Sequence, residues 1–429
     1  MNKNESSIPH IIIVGGGFGG LQLIKKFKNR EVKVTWIDKN NYHTFQPLLY
    51  QVASGGLGPD AIAYPLRKIS GTAPNIVFRL AEVLKIVPEK NLIETSIGDF
   101  NYDYLIIATG SQTNFFGNDS LEKYCMQLKS VGDALDLRSD ILQEFEYSII
   151  NAADKNKVKQ ILNFVVVGGG PTGVETAGAL AEMKNNVLKS DYHEIEPADM
   201  QVHLIESGGQ ILSMFDKSLT DKAKLSLEKI GVKVMLDTRV ESYDGKVLSL
   251  HTGESIYTET VIWSAGVKGK LIDGFKAGDI SRGNRYTVDA FNKLIAYENI
   301  FAIGDVASMS ADIKFPNGHP QVAPVAVQQA KNIAKNLLNK NKNNWQPFKY
   351  FDKGAMATIG RHKAVLQSFG IKMSGYTAWF AWMFLHLMLL VGYRSRIIVF
   401  VNWMWNYVSY QRAIRIIIRP FKRNNEDTL

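Results

Sequence analysis

The chain has 429 residues, 45% of them hydrophobic and 21% charged, which suits a globular protein with two or three well-buried domains. A single cysteine, Cys125, excludes a disulfide framework, a CxxC redox pair, a cysteine-rich metal site and a cysteine-ligated cluster. The net charge of +9 is concentrated late, where Arg394, Arg396, Arg412, Arg415, Arg419, Lys422 and Arg423 face only Glu426 and Asp427. Such an excess points to nucleic acid or to an anionic membrane surface.

The polar opening MNKNESSIPH shows no apolar core of a secretory signal, so the body of the protein is expected on the cytoplasmic side. The first predicted strand, Ile11 to Val14, runs into GGGFGG, residues Gly15, Gly16, Gly17, Phe18, Gly19 and Gly20. Gly15, Gly17 and Gly20 stand in GxGxxG register. Only glycine lets a strand turn sharply into a helix while the backbone approaches a pyrophosphate lying on the helix N-terminus. A second strand, VKVTWID, ends at Asp38, where a carboxylate can accept hydrogen bonds from ribose hydroxyls. The segment closes with YDYLIIATGS, an apolar strand ending in the small turn Ala108, Thr109, Gly110. Residues 126–162 read as a polar helical connector.

The pattern then repeats. FVVVGGGPTG places Gly168, Gly170 and Gly173 in the same register, and MQVHLIE ends its strand at Glu206. The spacing to Glu206 is long because a polar insertion, roughly 184–199, extends the crossover. TVIWSAGVKG closes the second unit as the ATG turn closes the first, so the repeat is a whole domain and points to two dinucleotides in one protein. NIFAIGDVA then returns the chain to the first domain as a short strand ending in Gly304–Asp305. A helix is expected over 323–338 and short strands with glycine turns over 348–370. The expected division is 1–125 and 285–370 for the first dinucleotide domain, 126–284 for the second with its connector, and 371–429 for a C-terminal helical segment.

That segment contains YTAWFAWMFLHLMLLV, 16 residues interrupted only by His386, short of the roughly 20 that a spanning helix needs. Beyond it Trp403, Tyr407, Tyr410, Ile414 and Ile417 are spaced 4, 3, 4 and 3, on one face of a helix, with Arg412, Arg415 and Arg419 opposite. An aromatic face backed by arginines suits a helix lying in a membrane interface against anionic headgroups. A buried helical hairpin and a homodimer interface are the alternatives. The segment decides the basic excess for a phospholipid surface over nucleic acid.

The whole chain resembles the type II NADH dehydrogenases, single-subunit NADH:quinone oxidoreductases that pump no protons, within the flavoproteins with two dinucleotide-binding domains. The resemblance rests on NYHTFQPLLYQVASGGL (41–57), GGGPTGVETAGALAE (168–182), FAIGDVA, the helix containing AVQQA and the aromatic C-terminus. It implies an α/β fold of two Rossmann-like domains plus C-terminal helices that attach the enzyme monotopically to the cytoplasmic face of the inner membrane. It implies FAD resident in the first domain, NADH as substrate in the second, and electrons passed through FAD to a membrane quinone, ubiquinone or menaquinone. On the matching positions Asp38 and Lys39 serve the adenosine ribose of FAD, Val83 contacts adenine through its backbone, and Asp305 binds the ribityl chain. Ala326 and Val327 present backbone amides to the isoalloxazine at a helix N-terminus.

For the pyridine nucleotide, Glu206 disfavours a 2′-phosphate by charge repulsion, so NADH is expected over NADPH. Gly266, in the SAG turn, admits the nicotinamide half. Glu175 is the expected catalytic residue, positioning nicotinamide or relaying a proton towards quinone; a favourable charge at the helix N-terminus is the structural alternative. The family often carries AQxAxQQ where this chain has APVAVQQ, so Gln328 is retained while Pro324 replaces one side-chain donor. His43, Gln46 and His319 are further quinone-contact candidates. Sulfide:quinone and disulfide reductases need paired cysteines, which are absent. An NADH oxidase or diaphorase would leave the C-terminal segment unexplained, and a nucleotide-sensing membrane scaffold would have no need of Glu175, Asp305 and Gln328 together.

Overall fold

The computed structural model describes residues 8–339, 341–409, 414–417 and 419–423. Their contacts divide the chain into two units. One gathers the described residues of Met1–His43, Tyr64–Gln112 and Val267–Asp352; the other gathers those of Thr44–Ala63, Thr113–Gly266 and Lys353–Leu429.

The first unit is built on a five-stranded parallel sheet in the spatial order Ile300–Ala302, Tyr104–Ile107, His10–Val14, Lys33–Asp38, Ile76–Leu80. Its strands are almost continuously apolar because both faces are covered. Ile11 and Ile13 point to one face, where Leu23, Ile24 and Phe27 of helix Phe18–Phe27 meet Ala330 and Ile333 of helix Ala323–Leu337. Ile12 and Val14 point to the other, against Ile86 and Ile93 of a small antiparallel sheet and Tyr286 and Val288 of a small mixed one. The glycine-bearing strand lies at the centre of the sheet with the Asp38 strand beside it in parallel register, Val14 opposite Ile37.

The second unit repeats the plan. Its parallel sheet runs Met126–Gln127, Thr260–Trp263, Asn163–Val167, Gln201–Ile205, Val232–Met235, again with the glycine-bearing strand central and the Glu206 strand next to it. Helix Val131–Ile150 begins with a capping box between Ser130 and Asp133. Helix Pro171–Glu182 runs on through a π-turn, Met183–Leu188, to Asp191, which is how the polar insertion lengthens the crossover. The C-terminal part adds an antiparallel sheet, Ala355–Thr358, Ala364–Ser368, Ile371–Gly375, and two helices, Tyr376–Leu389 and Tyr393–Ser409.

Here the structure departs from the sequence reading. The second helix is described as far as Ser409, and Ile414–Ile417 have no helical geometry, so the stripe expected from Trp403 to Ile417 does not form on one helix. Tyr410 and Arg412 lie outside the described residues. The spacing was consistent with a helix, but the residues after it pair with other elements of the unit instead.

Candidate functional site

In the first glycine turn Gly15 adopts φ 117°, and a Cβ there would lie 2.2 Å from the Ala108 carbonyl oxygen. A Cβ on Gly20 would lie 1.9 Å from the carbonyl oxygen of Gly15, so the helix can start against the strand only with glycine at both ends. Gly17 has nothing within 4 Å of a Cβ, which leaves an open face at the helix N-terminus. Asp38 accepts from the Gly16 N–H and, through its other oxygen, from the Asn40 N–H at 2.6 Å. Burial raises its pKa, while these two donors and the ammonium groups of Lys270 and Lys39 oppose the rise. Val83 begins a strand of the neighbouring antiparallel sheet, opposite Thr95.

The ATG turn and the Gly304–Asp305 turn are tied together. Ser111 donates to the Asp305 carboxylate at 2.5 Å, Thr109 donates to the Lys270 carbonyl at 2.6 Å, and Lys270 N–H returns to the Gly110 carbonyl at 3.0 Å. Gln329 accepts from the Gly304 N–H at 2.7 Å, and Gln321 donates to the Asp305 carbonyl at 2.9 Å. Helix Ala323–Leu337 opens with Pro324 in its first turn and no acidic residue there, so its N-terminal dipole is unopposed. Ala326 and Val327 follow in that turn, Ala326 against Gly304.

Of the quinone candidates, Pro324 and Gln328 lie one turn apart on helix Ala323–Leu337, and the others have separate partners. His43 Nδ1–H donates to the Gly16 carbonyl at 2.8 Å, while its buried Nε2 has no partner among the described residues. Both ends of the Gln328 amide are held by the Phe351 backbone, at 2.9 and 3.0 Å. His319 is buried against Asp312 at 3.1 Å, among the rings of Phe315, Phe348 and Tyr350. Gln46 belongs to the second unit and is exposed.

The second turn matches the first almost atom for atom. Gly168 has φ 110°, a Cβ on Gly173 would lie 1.8 Å from the Gly168 carbonyl oxygen, and Gly170 is open. Glu206 accepts from the Gly169 N–H at 2.6 Å and from the Gly208 N–H at 2.7 Å. Gly266 accepts from the Asn114 N–H at 3.1 Å, and a Cβ on it would touch the Phe116 ring at 3.0 Å. Phe116 is itself exposed and left-handed in backbone (φ 55°).

Glu175, one turn into helix Pro171–Glu182, is buried, and Oε1 accepts from the Thr358 N–H at 3.2 Å. Burial pushes its pKa up to about 8, against the pull of the Thr358 donors. Close packing makes this contact: Gly178 on the same helix would bring a Cβ within 2.7 Å of the Gly360 nitrogen, so the loop after Thr358 can seat only on glycine. Glu175 lines a cavity of about 130 Å³ with Tyr50, Gln51, Thr358, Arg361, Trp379, Trp382, Trp403 and Tyr407.

The two C-terminal helices sort their faces cleanly. Ala378, Trp382 and His386 are buried at a spacing of four, as are Ser395, Val399 and Trp403. Tyr376, Phe380, Phe384 and Met388 form an exposed stripe on the first helix, and Tyr393, Ile397, Phe400, Val401, Met404 and Trp405 are exposed on the second. Arg396 donates to the Met388 and Leu390 carbonyls and so caps the first helix. Arg415 pairs with Asp191 and Arg419 with Asp136, while Arg423 reaches Asp140 and Glu144, both at 2.7 Å. These arginines are therefore engaged within the unit rather than lining the back of an amphipathic helix, which corrects the expected arrangement. Among the described residues no helix is long and apolar enough to cross a membrane.

Residues 9–330 match the model of the pyridine nucleotide-disulphide oxidoreductase family. The chain is 36% identical to the type II NADH:quinone oxidoreductase NdhA of Mycobacterium tuberculosis, over 94% of this chain and 88% of that protein. The chain belongs to the type II NADH:quinone oxidoreductases. It is 29% identical to the Haemophilus influenzae enzyme of the same name, over 88% of this chain and 93% of that one. Its fold is that of the solved NDH2 from Plasmodium falciparum in complex with NADH, with TM-score 0.88 and 23% identity over 96% of this chain and all of that one (100%).

Within a type II NADH:quinone oxidoreductase two dinucleotide cradles are needed, and the residues present fit them. Each open glycine face would be filled by a Cβ, and each cradle ends in a strand-tip carboxylate. Sequence reasoning missed Gln329, Thr358, Tyr50 and Gln51, and it put Trp403 on the lipid-facing stripe, whereas Trp403 is buried and donates to Gln51. Gln329 was legible, since it shares the buried helix face of Val325 and Ile333, where a polar residue needs a partner. Thr358 carried no local signal, because its partner Glu175 is distant in sequence.

Proposed function

We propose that the first unit holds FAD as a resident cofactor, that the second admits NADH, and that the exposed face of the two C-terminal helices lies on the cytoplasmic surface of an anionic inner membrane. As a type II NADH:quinone oxidoreductase the protein is a flavoenzyme that moves electrons from NADH to quinone, here without pumping protons. The 36% identity over nearly the whole chain carries the activity. The paired turns support the division of cofactors. Bound FAD supplies hydride acceptance and electron release, chemistry that no side chain of this protein can perform.

The protein's own residues bind, select and protonate. Asp38 accepts hydrogen bonds from the adenosine ribose, beside Lys39, and the open helix N-terminus after Gly17 takes pyrophosphate charge. The helix N-terminus at Ala323–Val327 stabilises negative charge developing on the cofactor ring. In the second unit Glu206 takes the adenosine ribose of NADH and repels a 2′-phosphate. Gly266 leaves room for the nicotinamide half. Glu175, still protonated near neutral pH, holds a proton for quinone reduction, which consumes two.

The exposed aromatic stripes suit a monotopic attachment, since so large an apolar surface is rarely left to water. Attachment by this face also agrees with an acceptor dissolved in the bilayer. Whether the same face pairs two copies is read by sedimentation in detergent against vesicles. The assay of the whole reading is steady-state NADH oxidation with ubiquinone and menaquinone analogues in lipid. Turnover with oxygen or dyes alone, and none with either quinone, would place the protein among NADH oxidases instead.

A further inference from the structure

A chain of hydrogen bonds runs from the second C-terminal helix to Glu175. Trp403 Nε1 donates to Gln51 Oε1 at 2.8 Å, Gln51 Nε2 donates to the Tyr50 hydroxyl at 2.9 Å, and Tyr50 Oη lies 3.0 Å from Thr358 Oγ1. Thr358 Oγ1 lies 3.5 Å from Glu175 Oε1, which also accepts from the Thr358 N–H at 3.2 Å.

The direction of this chain follows from one residue. An indole N–H can only donate, so the Gln51 carbonyl must face Trp403 and its amide hydrogens must face Tyr50. The Tyr50 oxygen is then an acceptor, and its single hydrogen points to Thr358. Thr358 Oγ1 accepts that hydrogen and directs its own at Glu175 Oε1. Two donors thus converge on Oε1, whereas Oε2 accepts no hydrogen bond from a described residue.

We propose that Trp403 is a positioning residue for quinone reduction: through Gln51, Tyr50 and Thr358 it aims donors at Glu175 Oε1, so the acid proton resides on Oε2 and is presented to the cavity. The inference rests on reading Glu175 as the proton-holding group. In the step itself the Oε2–H bond breaks and that proton passes to one quinone oxygen, while NADH supplies the electron pair and, with its hydride, the second proton, which goes to the other quinone oxygen. The carboxylate left behind is stabilised by the two donors on Oε1 and is reprotonated from water.

The other ionisable groups on this cavity are Glu182 from the same helix, Arg361 from the loop after Thr358, and Tyr50 and Tyr407 from the helices packed around it. None of them stands in the chain between Trp403 and Thr358 except Tyr50, whose pKa burial raises, so it keeps its hydrogen.

The test uses the full-length, FAD-loaded protein in vesicles. Infrared difference spectra identify the carbonyl stretch of protonated Glu175 as the band lost in Glu175→Gln. Trp403→Phe, which removes the donor together with part of the ring, should shift that band and lower quinone turnover about 5-fold, the equivalent of one hydrogen bond. It should also move the alkaline fall in quinone turnover to higher pH, because donors that favour the carboxylate are weakened. Tyr50→Phe, which leaves the C-terminal helix intact, should shift the band in the same sense. In a Glu175→Gln background Trp403→Phe should cost nothing further. An unshifted band in both single variants overturns the proposal, and so does an equal cost of Trp403→Phe with and without Glu175. Ordinary quinone turnover in Glu175→Gln overturns the underlying reading of Glu175, whatever the band does in Trp403→Phe.

Discussion

The two glycine turns have nearly the same geometry, with φ 117° and 110° at the first glycine and the middle N–H of each given to a strand-tip carboxylate. Their surroundings are not alike. In the first unit Asp38, His43 and the Gly304–Asp305 turn tie the neighbouring loops together, with Gln329 and Ser111 holding that turn from the side. In the second, the helix after the turn carries a buried acid, and the residue facing that acid comes from a C-terminal strand. A turn sets whether a pyrophosphate can be held; what surrounds it sets whether the ligand stays or reacts and leaves.

The sharpest way to break the comparison is to damage both turns equally. Gly20→Ala and Gly173→Ala would each drive a Cβ to within 2 Å of a carbonyl oxygen, at 1.9 and 1.8 Å. Gly20→Ala should give a protein that purifies colourless. Gly173→Ala should stay yellow but no longer bleach with NADH. The same defect in both variants, read by visible absorbance, would mean that the two cradles do not divide the cofactors.

Next in size is Glu175→Gln, expected to lower quinone-dependent turnover about 100-fold while FAD stays bound, in the range of a lost general acid. In the unaltered protein that turnover should fall as pH rises through about 8, because the proton is held below that value and lost above it. The same residue bears on stability: the folded state keeps a proton that the unfolded chain releases near pH 4.5, so stability should decline between there and about 8. Glu175→Gln should flatten that decline in thermal melts. A pH profile that keeps its alkaline fall in Glu175→Gln would assign the titration to another group.

A smaller effect is expected at Glu206. Glu206→Ala should narrow the preference for NADH over NADPH by about 10-fold in kcat/KM, since one repulsive contact is removed and no new attraction is added. The equivalent change at Asp38 should alter FAD retention instead and leave nucleotide preference alone. The smallest effects concern the C-terminal part of the second unit. Phe380→Ser with Phe384→Ser should weaken vesicle binding measured by co-sedimentation, whereas Arg419→Ala should leave it unchanged and cost at most about 1 kcal/mol of stability, as an exposed ion pair does. The opposite outcome would put the arginines, not the aromatic stripe, on the lipid.

Much of this was legible in the sequence because it is local. The strand, glycine turn and helix of each cradle follow one another in the chain, and Asp38 and Glu206 end the next strand in register with them. The buried and exposed faces of helix Tyr376–Leu389 were hidden, since nearly every residue there is apolar and the period carries no contrast. The arginines after it misled for a related reason. Their spacing fitted a helix, but Asp136, Asp140, Glu144 and Asp191, the acids that hold them, lie far off in sequence. The contacts of Glu175 are long-range in the same way: Thr358, Tyr50, Gln51 and Trp403 come from three separate stretches of chain.

The central claim is that one resident flavin takes electrons from NADH and gives them to quinone. Anaerobic rapid mixing of the yellow protein in vesicles tests it in two additions. NADH should bleach the flavin absorbance at once, and a menaquinone or ubiquinone analogue added next should restore it. Absorbance that NADH leaves unchanged, or that neither quinone restores, would contradict the account.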